Sequence, residues 1–220
     1  MLGPSYDGEV LTGTNLNAGL HVVKRFAQDC PALVVNARGK RECGIQSDDW
    51  LDWVTDELAR WRAWRPMSKG IGTGKLRSKV SDLQAQVNAI IHQCGQAEPT
   101  LETVTWRDLS GLFAEAFAIK STASHSPVFA SKLCHLIFPA AFPVVDGELV
   151  GGAPSYPVYW HGCKGLWLEC QQQDALRRVV AGKVGIETSV DFPWAAKITE
   201  WCLIGERARL GKAKDDRGEP

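Results

Sequence analysis

The sequence predicts an all-α protein with few or no strands. Apolar residues recur every three or four positions in several long segments, helix-capping residues stand where those segments begin, and no run alternates with the two-residue period of a strand. With 220 residues, 45% of them hydrophobic, and nine tryptophans, the chain has ample material for a sizeable core. Its 23% charged residues match an ordinary globular protein.

The first 45 residues read as irregular with short elements, rich in Gly and Asn; Leu33-Val34-Val35 fits a short strand or part of a helix. Ser47 then reads as an N-cap, with Asp48 and Asp49 in the first turn where the helix dipole favours acids. Trp50, Trp53, Val54, Leu58, Trp61 and Trp64 follow at helical spacing until Pro66 stops the run. A second helix beginning after Gly74 carries the most regular stripe: Leu76, Val80, Leu83, Val87, Ile90, Ile91 and Cys94. Thr105 caps a third, through Leu109, Leu112, Phe113, Ala116 and Phe117 to about Lys120. Ser126-Pro127 opens a fourth that ends before Pro139. Later helices are expected over about Leu166 to Ala181 and Pro193 to Arg209. The tail 211–220 is expected to be disordered, leaving 1–210 as one helical domain.

No basic segment followed by an apolar one opens the chain, and the most apolar stretch, Val128 to Val145, is broken by Lys132, His135, Pro139 and Pro143. A cytoplasmic protein without a membrane span is the expectation. The seven cysteines include no Cys-x-x-Cys pair. Cys163 and Cys170 have the spacing that opens an iron–sulfur loop, but Gln173 stands where the next ligand would fall. Buried reduced thiols are expected, with no metal and no cofactor.

The formal net charge is zero, yet its distribution is uneven. Arg60 to Lys79 holds seven basic residues and no acid, with acids clustered just upstream. Within it, Gly70, Gly72 and Gly74 precede Lys75, Arg77 and Lys79. Such a loop entering a helix has the chemistry of a phosphate site, and Leu76 stands where a nucleotide-binding loop needs Ser or Thr. A flexible linker fits the same residues. The segment Gly151 to Gly165 reads as a loop carrying Tyr156, Tyr159, Trp160 and His161. Trp160, His161 and Trp167 are candidates for base stacking or a wedge, against the plainer role of packing. His135 lies one turn from Lys132 and reads as structural. Asp146, in the apolar run Phe142-Pro143-Val144-Val145-Asp146-Gly147, needs a partner or a task; a helix cap is the bland alternative.

The run from Ser131-Lys132 through Phe138-Pro139 to Phe142-Pro143-Val144-Val145-Asp146 resembles the catalytic segment of the helix-hairpin-helix DNA glycosylases with an eight-oxoguanine-glycosylase-type fold. The resemblance implies a two-lobed helical architecture, Asp146 as the acid that assists loss of the base, and Lys132 at the place of the amine that attacks the sugar in bifunctional members. Ser121 to Pro127 lacks the Leu-Pro-Gly-Val-Gly hairpin of the family, and the interval from Lys132 to Asp146 is short for lyase-type enzymes. The expectation is therefore a glycosylase that leaves an abasic site in double-stranded DNA. A phage-defence enzyme excising a modified cytosine, such as glucosylated 5-hydroxymethylcytosine, is compatible with the missing hairpin and the loop aromatics. The competing class is a non-catalytic helical adaptor that binds DNA or protein.

Overall fold

The computed structural model describes residues 10–63, 69–120, 126–146 and 155–215, with no side-chain account of 69–72 and 211–215. Among these residues the secondary structure is helical, with no strand: α1 (Gly13–Val22), α2 (Lys24–Glu42), α3 (Asp48–Arg60), α4 (Lys69–Gln93), α5 (Trp106–Ile119), α6 (Val128–Ile137), α7 (Tyr156–Glu169), α8 (Gln173–Val184) and α9 (Trp194–Asp215). No described helix is long and apolar enough to cross a membrane.

Local chemistry sets several of these ends. The Ser47 side chain accepts from Trp50 N–H to start α3, and Thr105 and Asp108 form a reciprocal capping box at α5. On α4, Leu76, Val80, Leu83, Val87 and Ile90 are all buried as the stripe predicts. Each contributes about 1.5–3 kcal/mol of burial before conformational entropy is charged against it. In α6 every residue from Phe129 to Ile137 is buried, so this short helix is central, packed on by α2, α3 and α5. Buried side chains from all nine described helices join one continuous core.

Five expectations are corrected. Residues 13–42 form two helices, with Leu33-Val34-Val35 inside α2 and Pro31 within its span. The stretch expected to be a loop from Gly151 is helical from Tyr156. The single helix expected over 166–181 is two, α7 and α8, broken at 170–172. The last helix runs on to Asp215, past the expected end at Arg209 and into the tail expected to be disordered. Finally, α4 starts at Lys69, so Gly70, Gly72 and Gly74 lie in helix and not in an open loop.

The Gly19 and Gly205 positions explain why α1 escapes a periodicity search. A Cβ on Gly19 would lie 1.8 Å from Trp201 O, and one on Gly205 would lie 1.8 Å from Asn15 O. The backbones of α1 and α9 are therefore in direct contact, and small residues, not an apolar stripe, define that face.

Candidate active site

The site is built around an irregular buried segment, 138–146, that leaves α6 and carries Asp146 at its end. A buried segment without regular structure must satisfy its backbone polar groups elsewhere. Here the partners are mostly side chains. Leu101 N–H donates to Ala140 O at 2.8 Å, Trp160 Nε1 to Ala141 O at 2.8 Å, and His135 Nδ1 to Phe142 O at 2.8 Å. Tyr156 Oη donates to Pro143 O at 2.7 Å and Tyr159 Oη to Val144 O at 2.9 Å. Val144 N–H donates to Glu200 Oε2 at 3.2 Å, and Val145 N–H to Ser131 Oγ at 3.3 Å. Burial raises both tyrosine phenols well above their ordinary range, so they stay O–H donors.

This accounting reassigns the aromatics. Trp160 and Trp167 are fully buried on α7, where they cannot stack on a base or act as a wedge. Trp160 holds the Asp146-bearing segment, and Trp167 Nε1 donates to Glu102 Oε1 at 2.8 Å beneath the Arg177 guanidinium. His161 is exposed on the same helix, edge-on to the Trp160 ring.

The segment delivers Asp146 to Lys132. The Lys132 Nζ to Asp146 Oδ2 distance is 3.6 Å, with the lysine side chain 9% exposed and the aspartate 32%. Lys132 Nζ also donates to Trp61 O at 2.8 Å, the C-cap carbonyl of α3, where the helix dipole favours a cation. A half-exposed carboxylate therefore stands beside a buried ammonium fixed from its other side. The pair expected from the sequence is brought together. Asp146 lies at the end of the buried segment, with its side chain partly exposed.

A second pair lies behind it. Lys197 Nζ and Glu200 Oε2 are 3.0 Å apart, and both residues are buried on α9. The same Glu200 oxygen holds Val144 N–H, so the ion pair anchors the segment two residues before Asp146. Lys197 Nζ also sits 5.9 Å from the Trp61 ring centroid, and that ring faces His135 at 5.6 Å. Sequence reading missed Lys197 and Glu200. Their signal was available: two charges one turn apart within the otherwise apolar run Ala195 to Ile204.

His135 is neutral. Burial, and then the Lys197 charge, push its pKa well below 6.5. Since Nδ1 faces a carbonyl it carries the proton, which leaves Nε2 as a bare acceptor. The unfolded chain binds a proton at His135 below pH 6.5 that the folded chain refuses. This contribution to stability is therefore complete above pH 6.5 and is lost as pH falls. From pH 6.5 to about 5.5 the loss is about 1 kcal/mol, read as a drop in the urea midpoint. His135→Asn, which keeps an N–H for Phe142 O, should flatten that slope. Equal slopes in the two proteins would remove His135 as its source.

The basic segment is the other correction. With α4 helical from Lys69, backbone N–H groups from Thr73 onward belong to the helix's own hydrogen bonds, so Gly74 and Lys75 offer no cradle. Arg77 Nη1 pairs with Asp48 at 2.7 Å, and Lys79 Nζ bonds Asp82 and Glu115, both at 2.9 Å. Much of this segment's charge is spent inside the protein. Lys75 remains exposed. Four of the seven thiols are buried; burial holds Cys163 at about 12, so it is not a nucleophile, while Cys43 is exposed.

Compared with protein-family models, with curated proteins and with solved structures, the chain matches none.

Proposed function

We propose that this chain is a DNA glycosylase that hydrolyses the N-glycosidic bond of a modified base and leaves an abasic site, with Asp146 as its catalytic carboxylate. One observation carries the reading: an irregular segment, held by side-chain hydrogen bonds to most of its backbone, ends by placing a partly exposed Asp146 beside the buried Lys132. That is preorganisation of one charge at the edge of solvent, which is what stabilisation of a cationic sugar requires.

The chemistry assigned to these residues is simple. The bond between C1′ and the base nitrogen breaks and its electron pair leaves with the base, which takes a proton from solvent. Positive charge grows on the sugar, and the Asp146 carboxylate stabilises it. Water adds to C1′ and passes its proton to Asp146. Lys132 is engaged by Trp61 O and Asp146, so its role here is to hold the carboxylate and not to attack the sugar. The resemblance supports double-stranded DNA as substrate, and an anti-phage enzyme acting on a modified cytosine is the specific form proposed.

The test is a panel of phage DNAs carrying different modified bases, incubated with the protein and then treated with alkali to cleave at abasic sites. Strand breaks confined to one class of modified DNA are the expected result. Intact strands throughout, together with binding to one of these DNAs, would favour the adaptor reading.

A further inference from the structure

We propose that Arg62 is the residue that grips a phosphodiester of the nucleic acid presented to Asp146; this rests on the glycosylase reading above. The observation is where Arg62 sits. Helix α3 ends in a Schellman turn, with Arg62 N–H donating to Ala59 O at 3.0 Å and Ala63 N–H to Leu58 O at 2.8 Å. Arg62 occupies its left-handed position at φ 53°. At the corresponding place after α2, α4 and α8 the chain uses glycine: Gly44, Gly95 and Gly185, with φ of 95°, 60° and 75°. Glycine adopts this conformation without strain, whereas an arginine there pays for its Cβ. At that position only α3 keeps a side chain, although Gln96, one residue after Gly95, is also left-handed at φ 70°, and a side chain kept there against the glycine preference invites a task.

Three further facts say what the task is. The turn is pinned from within: Lys132 donates to Trp61 O and Lys120 to Ala63 O, the carbonyls on either side of Arg62. The Arg62 side chain is exposed, and no ion pair joins it to any described residue. The neighbouring Arg60 is held by Glu57 at 2.7 Å and Asp29 at 3.3 Å, and Arg77 and Lys79 are held by acids as well. Arg62 is thus an uncommitted guanidinium on a rigid turn, one residue from the carbonyl that Lys132 shares with the Asp146 site. A planar, permanently charged fork is suited to two oxygens of a phosphate, and the backbone phosphates flanking a nucleotide at Asp146 are the ligand of that chemistry. This replaces the helical glycine segment as the phosphate contact.

The test separates strain from binding. Arg62→Gly removes the Cβ and the charge together, Arg62→Asn removes the charge from a residue that still tolerates the left-handed region, and Gln96→Gly relieves φ of 70° at the end of α4 as a control. The probe is a fluorescein-labelled DNA duplex with a tetrahydrofuran abasic-site analogue, followed by anisotropy across a potassium chloride series. For Arg62→Gly the melting midpoint should rise by about 2–4 °C. Affinity should fall about tenfold and the salt slope should shrink by about one. Arg62→Asn should lose the same binding, and Gln96→Gly should keep it. Unchanged affinity and slope in Arg62→Gly overturn the proposal and leave the glycosylase reading intact. A lowered midpoint overturns it too, since Arg62 would then be a structural residue. If the slope changes while the wild type releases no base from any DNA, the phosphate grip stands and the catalytic reading fails. A wild type that does not bind the duplex overturns the proposal outright.

Discussion

Gly19→Ala is expected to lower the stability of the folded chain by about 3 kcal/mol or more, the upper range for forcing atoms into a packed interface. The added Cβ would meet Trp201 O at 1.8 Å and Trp201 C at 2.7 Å. Both are backbone atoms of α9, so no rotamer change relieves the overlap and the two helices must move apart. Gly205→Ala strikes Asn15 O at 1.8 Å across the same crossing and should cost a similar amount. Once one substitution has parted the helices the other meets less resistance, so the double variant should cost clearly less than the sum. Gly182→Ala is the control: no atom lies within 4 Å of its Cβ, and replacing a helical glycine there should gain about 0.5–1 kcal/mol. Urea midpoints with constant m-values measure all four. A Gly19→Ala protein as stable as the parent would mean that α1 and α9 do not cross as described.

Glu200→Leu is expected to cost about 3–5 kcal/mol, because it strands the buried Lys197 ammonium and leaves Val144 N–H without its acceptor. The two losses are separable. Lys197→Met together with Glu200→Leu removes both charges, so the electrostatic part should be recovered. What remains is the orphaned Val144 N–H, about 1–3 kcal/mol. A double variant no more stable than Glu200→Leu alone would show that the ion pair is not what makes the single change costly. The functional consequence follows from position: Val144 lies two residues before Asp146, so a loosened segment should misplace the carboxylate even where the fold survives.

The parts of the fold that could be read from sequence are those where local chemistry and periodicity agree. Ser47 with Asp48 and Asp49, Thr105 with Asp108, and the Leu76-to-Ile90 stripe each mark a helix by rules that act within a few residues. Elsewhere tertiary contact overrode the local signal. The small residues of α1 suggest a loop until Gly205 is seen against it, and the glycines of α4 suggest an open cradle although they lie in helix. Around Tyr156 to Trp167 the aromatics suggest an exposed loop, since nothing local shows that their polar tips will meet the backbone of residues 141–144.

The site was legible in a similar way. The apolar setting of Asp146 calls for a partner; the resemblance read from the sequence offers Lys132 as a possible attacking amine, and not as the ion-pair partner the structure places beside the carboxylate. The spacing of Lys197 and Glu200 was present in the sequence, but their link to Val144 is a long-range contact. Arg62 lies in the basic run that the sequence shows, but nothing in the sequence singles it out from the other six; the backbone angle does.

The most direct measurement compares wild type with Asp146→Asn for release of free base, detected by mass spectrometry, from the modified DNA that the panel identifies. Asparagine keeps the size and a hydrogen bond for Lys132 but not the charge. The account predicts a variant that still folds, with a lowered melting midpoint because the buried Lys132 ammonium loses its counter-charge, and a rate of base release in the folded protein lower by about a hundred- to a thousandfold, the loss typical of removing one preorganised transition-state contact. Base release by Asp146→Asn at the wild-type rate would contradict it.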